Sequence, residues 1–292
     1  MHKSGYFVMK TLTWILHILP MRVNYIFSDF LYFIIYHIAR YRRKVVRKNL
    51  ENSFPTKTTI ERKTIERKFY HHLCDVFIET LYFDHISREE AKKRVKFLNP
   101  ELPNNYLEQG KSVVVFLGHY NNWEWLITWA LYTKYPFYAI YKKLKSKTFE
   151  KFYYNLRSRL GTIPLERAAT FRQLMSDSQH NIVNLSSFIF DQTPRIYEIH
   201  YWTKFLNQDS AVIMGGEKVA RKLSAVVLFA HMKKIKRGFY ETEYVLITEN
   251  AGEAAKFEIT EKCTRYLEKV IMEKPEYWLW SHKRWKHKKP VN

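Results

Sequence analysis

Cysteine is nearly missing from this chain. Among 292 residues there are two, Cys74 and Cys263, far apart in sequence. No paired spacing suggests a disulfide framework or a zinc site, and a reducing, cytoplasmic-side location fits. Acidic residues are also scarce relative to basic ones, 28 against 49, for a formal charge of +21. Such an excess implies an anionic partner, whether nucleic acid, anionic lipid or an acidic protein. There is no Gly-rich phosphate loop, internal repeat or low-complexity linker, and no small-residue cleavage site marks a removed signal peptide. What is abundant is apolar and aromatic. Hydrophobic residues make up 46% and aromatics 17% of the chain, which excludes a disordered protein and favours places half apolar and half wet. The length allows one substantial core, or at most two small ones.

The first 40 residues differ from the rest. Thr11 to Leu19 is apolar, Pro20 breaks it, and Val23 to Ala39 is a second mostly apolar stretch that contains Asp29. Its length lies at the lower limit for a spanning helix, roughly 17 residues. Arg40, Arg42, Arg43, Lys44, Arg47 and Lys48 follow at once. That cluster suits anionic headgroups and favours a cytoplasmic downstream domain. We expect residues 1–40 to anchor the chain at a membrane, either spanning or lying in the interface. A buried N-terminal helix is the alternative.

Beyond residue 40 the pattern alternates. Thr58 to Phe83 reads as a long amphipathic helix, Ser87 starts another, and Glu101 to Glu108 a third. Val113 to Leu117 reads as a buried strand and the segment to Leu131 as a helix. Phe137 to Tyr141, Thr162 to Leu165, Ile182 to Phe190, Ala211 to Met214, Ala225 to Ala230 and Tyr240 to Ile247 read as further strands. Helices are expected over Ser146–Leu160, Thr170–Met175, Gly216–Leu223 and Ile259–Met272. Together these predict an α/β fold with a mixed, mostly parallel central sheet flanked by helices, behind a hydrophobic helical anchor.

The most informative residues are His119 and Glu124. An apolar strand ends in Gly118-His119, and a carboxylate follows five positions on. In one continuous helix the two would point about 140° apart, at roughly 100° per residue. With His119 on the loop and Glu124 in the first turn of the next helix they can converge, at the strand ends where α/β ligand crevices form. Histidine is the side chain best suited to deprotonating a hydroxyl near neutral pH. Asn121-x-x-Glu124 also reads as a capping box, which would give Glu124 a structural task. His71, His72 and Asp75 invite a metal reading, but fit the polar face of their helix; we assign no metal ligands.

The run Gly118-His119-Tyr120-Asn121-Asn122-Trp123-Glu124-Trp125 resembles the histidine-x4-acid block of the lipid A biosynthesis (late) acyltransferases, within the lysophospholipid acyltransferase superfamily. Four further blocks resemble that family in the expected order: Leu160–Arg167, Phe188–Gln192, Met214–Lys222 and Pro275–Trp285. The resemblance runs from Arg42 to Lys286. Asn121 stands where many relatives carry glycine, which bears on the local backbone. The resemblance implies an acyltransferase domain over residues 41–292. It implies direct transfer of a fatty acyl chain from an acyl carrier protein or CoA thioester to a lipid A precursor, without an acyl-enzyme. His119 would be the general base and Glu124 the residue that orients it. Arg167, Asp191, Gln192, Glu217 and Arg221 become candidate substrate-binding residues. Arg167 suits a phosphate, Asp191 and Gln192 would shape the mouth of the site, and Glu217 and Arg221 could equally form an i,i+4 pair. No cofactor is expected beyond the thioester co-substrate. The expected location is the cytoplasmic side of the inner membrane, with an anionic membrane and the lipid acceptor as partners. The basic segments Lys142–Lys147 and Lys283–Lys289, the latter interleaved with Trp278, Trp280 and Trp285, suit an acidic carrier protein or a lipid interface. A lysophospholipid or lyso-aminolipid acceptor uses the same parts. A basic, membrane-tethered nucleic-acid binder is permitted by charge and aromatics but leaves the Gly-His-x4-Glu block unexplained; nucleic acid is not an expected partner. A metal hydrolase ranks last, for want of ligand spacing.

Overall fold

The computed structural model describes residues 2–290. The chain opens with helices α1 (His2–Ile18) and α2 (Met21–Tyr32), broken at Pro20, and α2 runs into a π-helical stretch, Phe33–Ile38. Helix α3 (Arg43–Ser53) leads to the long α4 (Thr59–Phe83). Thr58 caps α4 in a full capping box with Glu61, which satisfies two end donors at once. Then come α5 (Arg88–Arg94), strand β1 (Val95–Phe97), α6 (Glu101–Glu108) and β2 (Val113–Leu117). The helix expected up to Leu131 is a 3-10 helix, Trp123–Leu131.

Strand β3 (Phe137–Tyr141), α7 (Lys147–Ser158), β4 (Ile163–Glu166), α8 (Arg167–Gln179) and β5 (Leu185–Ile189) follow the expected alternation. The segment expected as a strand from Ala211 to Met214 differs. A small hairpin of β6 (Trp202–Phe205) and β7 (Gln208–Ala211) ends where that strand was to begin. Leu206 and Asn207 at its tip take positive φ, as two-residue hairpin turns require. Helix α9 (Gly215–Lys222), strands β8 (Val226–Lys236) and β9 (Phe239–Thr248), and α10 (Glu258–Glu273) complete the order.

The main sheet runs β1-β9-β8-β2-β5-β3-β4, parallel throughout except for the β8–β9 pair. Strand β2 is central and buried along its whole length, which explains why Val113–Leu117 is a continuous apolar run. Its side chains alternate between two cores. Val114 and Phe116 join one with α10 and Trp278, while Val113, Val115 and Leu117 join the other with Trp125, Trp129 and Phe152, as a period of two dictates.

Helices α1 and α2 pack against α4, and α1 also meets α7. Their other side is apolar and exposed, with Phe7, Trp14, Ile18, Ile26, Phe27, Phe30, Phe33 and Ile38 at the surface. Among the described residues no helix is long and apolar enough to cross a membrane. Arg237 ties α2 to the body, binding Asp29 (2.5 Å) and Asp75 (2.6 Å), while Lys234 reaches Asp75 at 3.2 Å. Asp75, one of the residues with a metal alternative, is therefore an anion between two cations. Among the described residues, no group of three or more His, Cys, Asp and Glu is placed to hold a metal.

Candidate active site

His119 and Asp191 meet because their strands end side by side. In the β2–β5 pairing Leu117 lies opposite Ile189. Two residues further along each strand stand His119 and Asp191. The His119 Nδ1 is 2.6 Å from Asp191 Oδ1, and the His119 backbone N–H donates to Asp191 Oδ2 at 2.8 Å. Trp278 Nε1–H donates to the same oxygen at 2.7 Å. Burial would raise the Asp191 pKa. The His119 charge and these hydrogen bonds outweigh it, and the carboxyl sits below its usual range. Asp191 is therefore ionised and takes the Nδ1 side of the ring, and Nε2 faces away from it.

Gly118 makes this approach possible. A Cβ there would stand 2.7 Å from a Leu267 methyl and 3.3 Å from Asp191 Oδ2. Asn121 takes φ of 55°, the left-handed conformation that glycine adopts at little cost and asparagine tolerates. The backbone thus accommodates the departure at this position. Asn121 Nδ2 donates to the Met232 carbonyl and Asn122 Nδ2 to Glu79, both at 2.7 Å.

Glu79 is the residue that sequence reasoning missed. It is completely buried and accepts from Asn122, from Tyr240 (2.7 Å) and from Tyr25 (2.9 Å) on α2. Its carbonyl accepts from Trp125 Nε1 at 3.2 Å. Burial raises its pKa, against the lowering effects of Lys234 and of the Tyr240 and Asn122 bonds. It pins the loop after His119 to the helices beneath. Its only mark in the sequence is a carboxylate on the apolar stretch of a long helix.

Glu124 does not orient His119. It lies in the first turn of the 3-10 helix, and its carboxylate takes a bidentate bond from Arg157 of α7, at 3.0 and 2.7 Å. The position of Asp191 at Nδ1 corrects the expected partner. The capping box also fails, since no side-chain hydrogen bond caps that helix. Burial lowers the Arg157 pKa, but the Glu124 carboxylate outweighs it and the guanidinium stays above its ordinary range.

His119, Glu124 and Arg157 all line a cavity of about 720 Å³, within the usual range for ligand sites, roughly 300–1,000 Å³. Leu126, Ile127, Phe137, Ile140, Phe188 and Val219 make its walls apolar. Lys142, Lys143, Lys145, Arg167, Arg195 and Lys218 make part of its lining cationic. Gln192 lines it and Arg167 does too, paired with Glu198 at 2.6 Å. Asp191 lies behind His119.

Glu217 and Arg221 do not line this cavity. Glu217 is buried and accepts from the backbone N–H groups of Phe257 (2.6 Å) and Thr260 (2.8 Å) at the start of α10. Both Glu217 oxygens are thereby occupied, which corrects the expected substrate-binding role of Glu217 and its i,i+4 pair with Arg221. The carboxylate is taken by amides that the helix start leaves free. Trp278 and Trp280 are buried in the core and not at a lipid interface, and Trp285 is half-buried with Nε1 donating to Ser210 Oγ.

A carboxylate-held imidazole thus stands at the strand ends of a mostly parallel α/β sheet, on the wall of a cavity lined by apolar and cationic side chains. The chain belongs to the bacterial lipid A biosynthesis acyltransferase family, whose family model matches residues 2–287. A comparison with curated protein sequences found no match.

Proposed function

We propose that the protein transfers a fatty acyl chain from an acyl thioester to a hydroxyl of a lipid A precursor. His119 Nε2 takes the hydroxyl proton as that oxygen attacks the thioester carbonyl. Asp191 holds Nδ1–H and stabilises the imidazolium. The tetrahedral intermediate collapses, the C–S bond breaks, and His119 returns the proton to the leaving sulfur. Ester and thiol are the products, and no acyl-enzyme or cofactor is needed. The observation that carries this reading is the His119–Asp191 pair on the wall of the apolar cavity. Glu124 holds Arg157 against that cavity, where the guanidinium suits an anionic group of either substrate. The cations Lys142, Lys143 and Lys145 suit the phosphate of a carrier-protein or CoA thioester, and Arg167 suits a second phosphate.

The exposed apolar face of α1, α2 and the π-helical stretch, next to the arginine cluster at 40–47, supports residues 1–40 as an interfacial anchor. They would lie in the cytoplasmic face of the inner membrane, with residues 41–292 as the catalytic domain. Lipid mass spectrometry on a deletion strain, complemented with wild type or with His119→Ala, tests the function. Underacylated lipid A that only the wild type restores is the expected result. An unchanged lipid A profile with altered aminolipids or phospholipids would move the acceptor to those lipids. No lipid change in any strain would end the reading.

A further inference from the structure

Gln192 stands at the ring nitrogen of His119 that Asp191 leaves free. Its side-chain nitrogen lies 3.0 Å from His119 Nε2. An amide nitrogen can only donate, so in this contact the carboxamide N–H is the donor and His119 Nε2 the acceptor. The backbone on both sides of Gln192 is fixed. Asp191 accepts from Trp278 and His119. Thr193 N–H donates to His282 Nε2 at 3.0 Å, and Thr193 Oγ1 lies 2.9 and 2.7 Å from the carbonyls of Lys283 and Arg284. The freedom at this position is therefore in the side chain, which reaches into the cavity. A carboxamide has two N–H donors, and a short rotation carries one from the imidazole to a group beside it.

We propose that Gln192 is a catalytic residue with two positions, resting on the acyl-transfer reading above. Without acceptor its amide caps the lone pair of Nε2. When the acceptor O–H takes that place, the amide moves to the thioester carbonyl oxygen. As the hydroxyl oxygen bonds to the carbonyl carbon, the C=O electron pair moves onto its oxygen, and the Gln192 N–H donates to that oxyanion. The proton rests on His119 Nε2. On collapse the C=O re-forms, the sulfur leaves with the C–S pair, and it takes the proton from Nε2.

The test uses the purified full chain, an acyl-carrier-protein thioester and a lipid A precursor in mixed micelles. Gln192→Ala and the near-isosteric Gln192→Glu are compared with wild type and His119→Ala. Loss of one oxyanion donor should lower kcat by about 10²–10³, with KM for the thioester within about threefold. In Gln192→Glu a carboxylate faces Nε2, so the acidic limb of the pH–rate profile should move up by about one pH unit or more. The limb shift reports that residue 192 faces Nε2, and a residue that only supports the loop would not lower kcat alone with KM unchanged. Less than a tenfold fall in kcat for Gln192→Ala, or an unmoved limb in Gln192→Glu, overturns the assignment. If His119→Ala transfers normally, the reading of the whole site fails. If His119→Ala is inactive and Gln192→Ala is not, only the role of Gln192 fails.

Discussion

Replacing Asp191 with asparagine should cost the enzyme nearly all its proton-transfer power while leaving the fold intact. The carboxylate lies 2.6 Å from His119 Nδ1. At an effective dielectric of about 20, unit charges at that separation attract by roughly 6 kcal/mol. That value is an upper bound, because the carboxylate charge is shared by two oxygens and Trp278 and the His119 amide hold part of it. An asparagine keeps an acceptor oxygen and recovers some of the rest. About 4–5.5 kcal/mol of transition-state stabilisation remains to be lost, equivalent to a fall in kcat of about 10³–10⁴. A second effect adds to it: the asparagine N–H can donate to Nδ1, which stabilises the tautomer with its proton on Nε2 and no lone pair for the acceptor. The assay is transfer of a labelled acyl chain to a lipid A precursor under saturating substrates, with circular dichroism to check folding. A folded Asp191→Asn protein within tenfold of wild type would refute the pairing of charge and base.

Glu124→Gln leaves the largely enclosed Arg157 without its anion, so denaturant unfolding should show a loss of about 2–4 kcal/mol. The acidic limb of its pH–rate profile should stay in place, because the His119–Asp191 contact is untouched; a shift of a full pH unit would put Glu124 back beside the imidazole. Gly216→Ala places a Cβ 2.7 Å from the Phe116 ring and 3.3 Å from Phe188, and should destabilise by about 1–3 kcal/mol in urea unfolding. Burial, reinforced by neighbouring lysines, pushes His72 down to about 3 and His231 down to about 4. Both folded values lie below the ordinary value of about 6.5. The stability they contribute is complete above that pH and is lost as pH falls toward 4. The urea midpoint should therefore drop between pH 7 and pH 4.5, and His231→Gln should flatten the drop.

Local pattern carried most of the fold. The alternating strands and helices from Val113 to Ile189 stand within a few residues of where the pattern puts them, most clearly where a strand is a buried apolar run, as β2 is, or a helix has one apolar face, as α7 has. The Ala211–Met214 strand failed for a physical reason. That apolar segment faces the core as irregular chain after a hairpin, and short apolar runs look alike in both settings. The apolar pattern over Trp123–Leu131 predicts a helix but does not distinguish the tighter 3-10 form from an α-helix. The sequence places Glu124 near His119, yet proximity in sequence is not direction. The equal offsets of His119 and Asp191 past two apolar strands hold the clue to the true contact, and using it requires knowing that β2 and β5 are neighbours in register. Pairing between strands about 70 residues apart is a tertiary fact. The same holds for Glu79, whose donors come from three distant segments, and for Trp278, whose indole N–H is spent inside the core.

In the proposed reaction one imidazole acts on a lipid hydroxyl. The most direct measurement follows thiol release and ester formation by the purified protein, given an acyl thioester and a lipid A precursor, in wild type and in His119→Ala. Equal amounts of thiol and new ester in wild type, with neither above background in the variant, are the predicted result. Ester formed at the wild-type rate by a folded His119→Ala protein would contradict it.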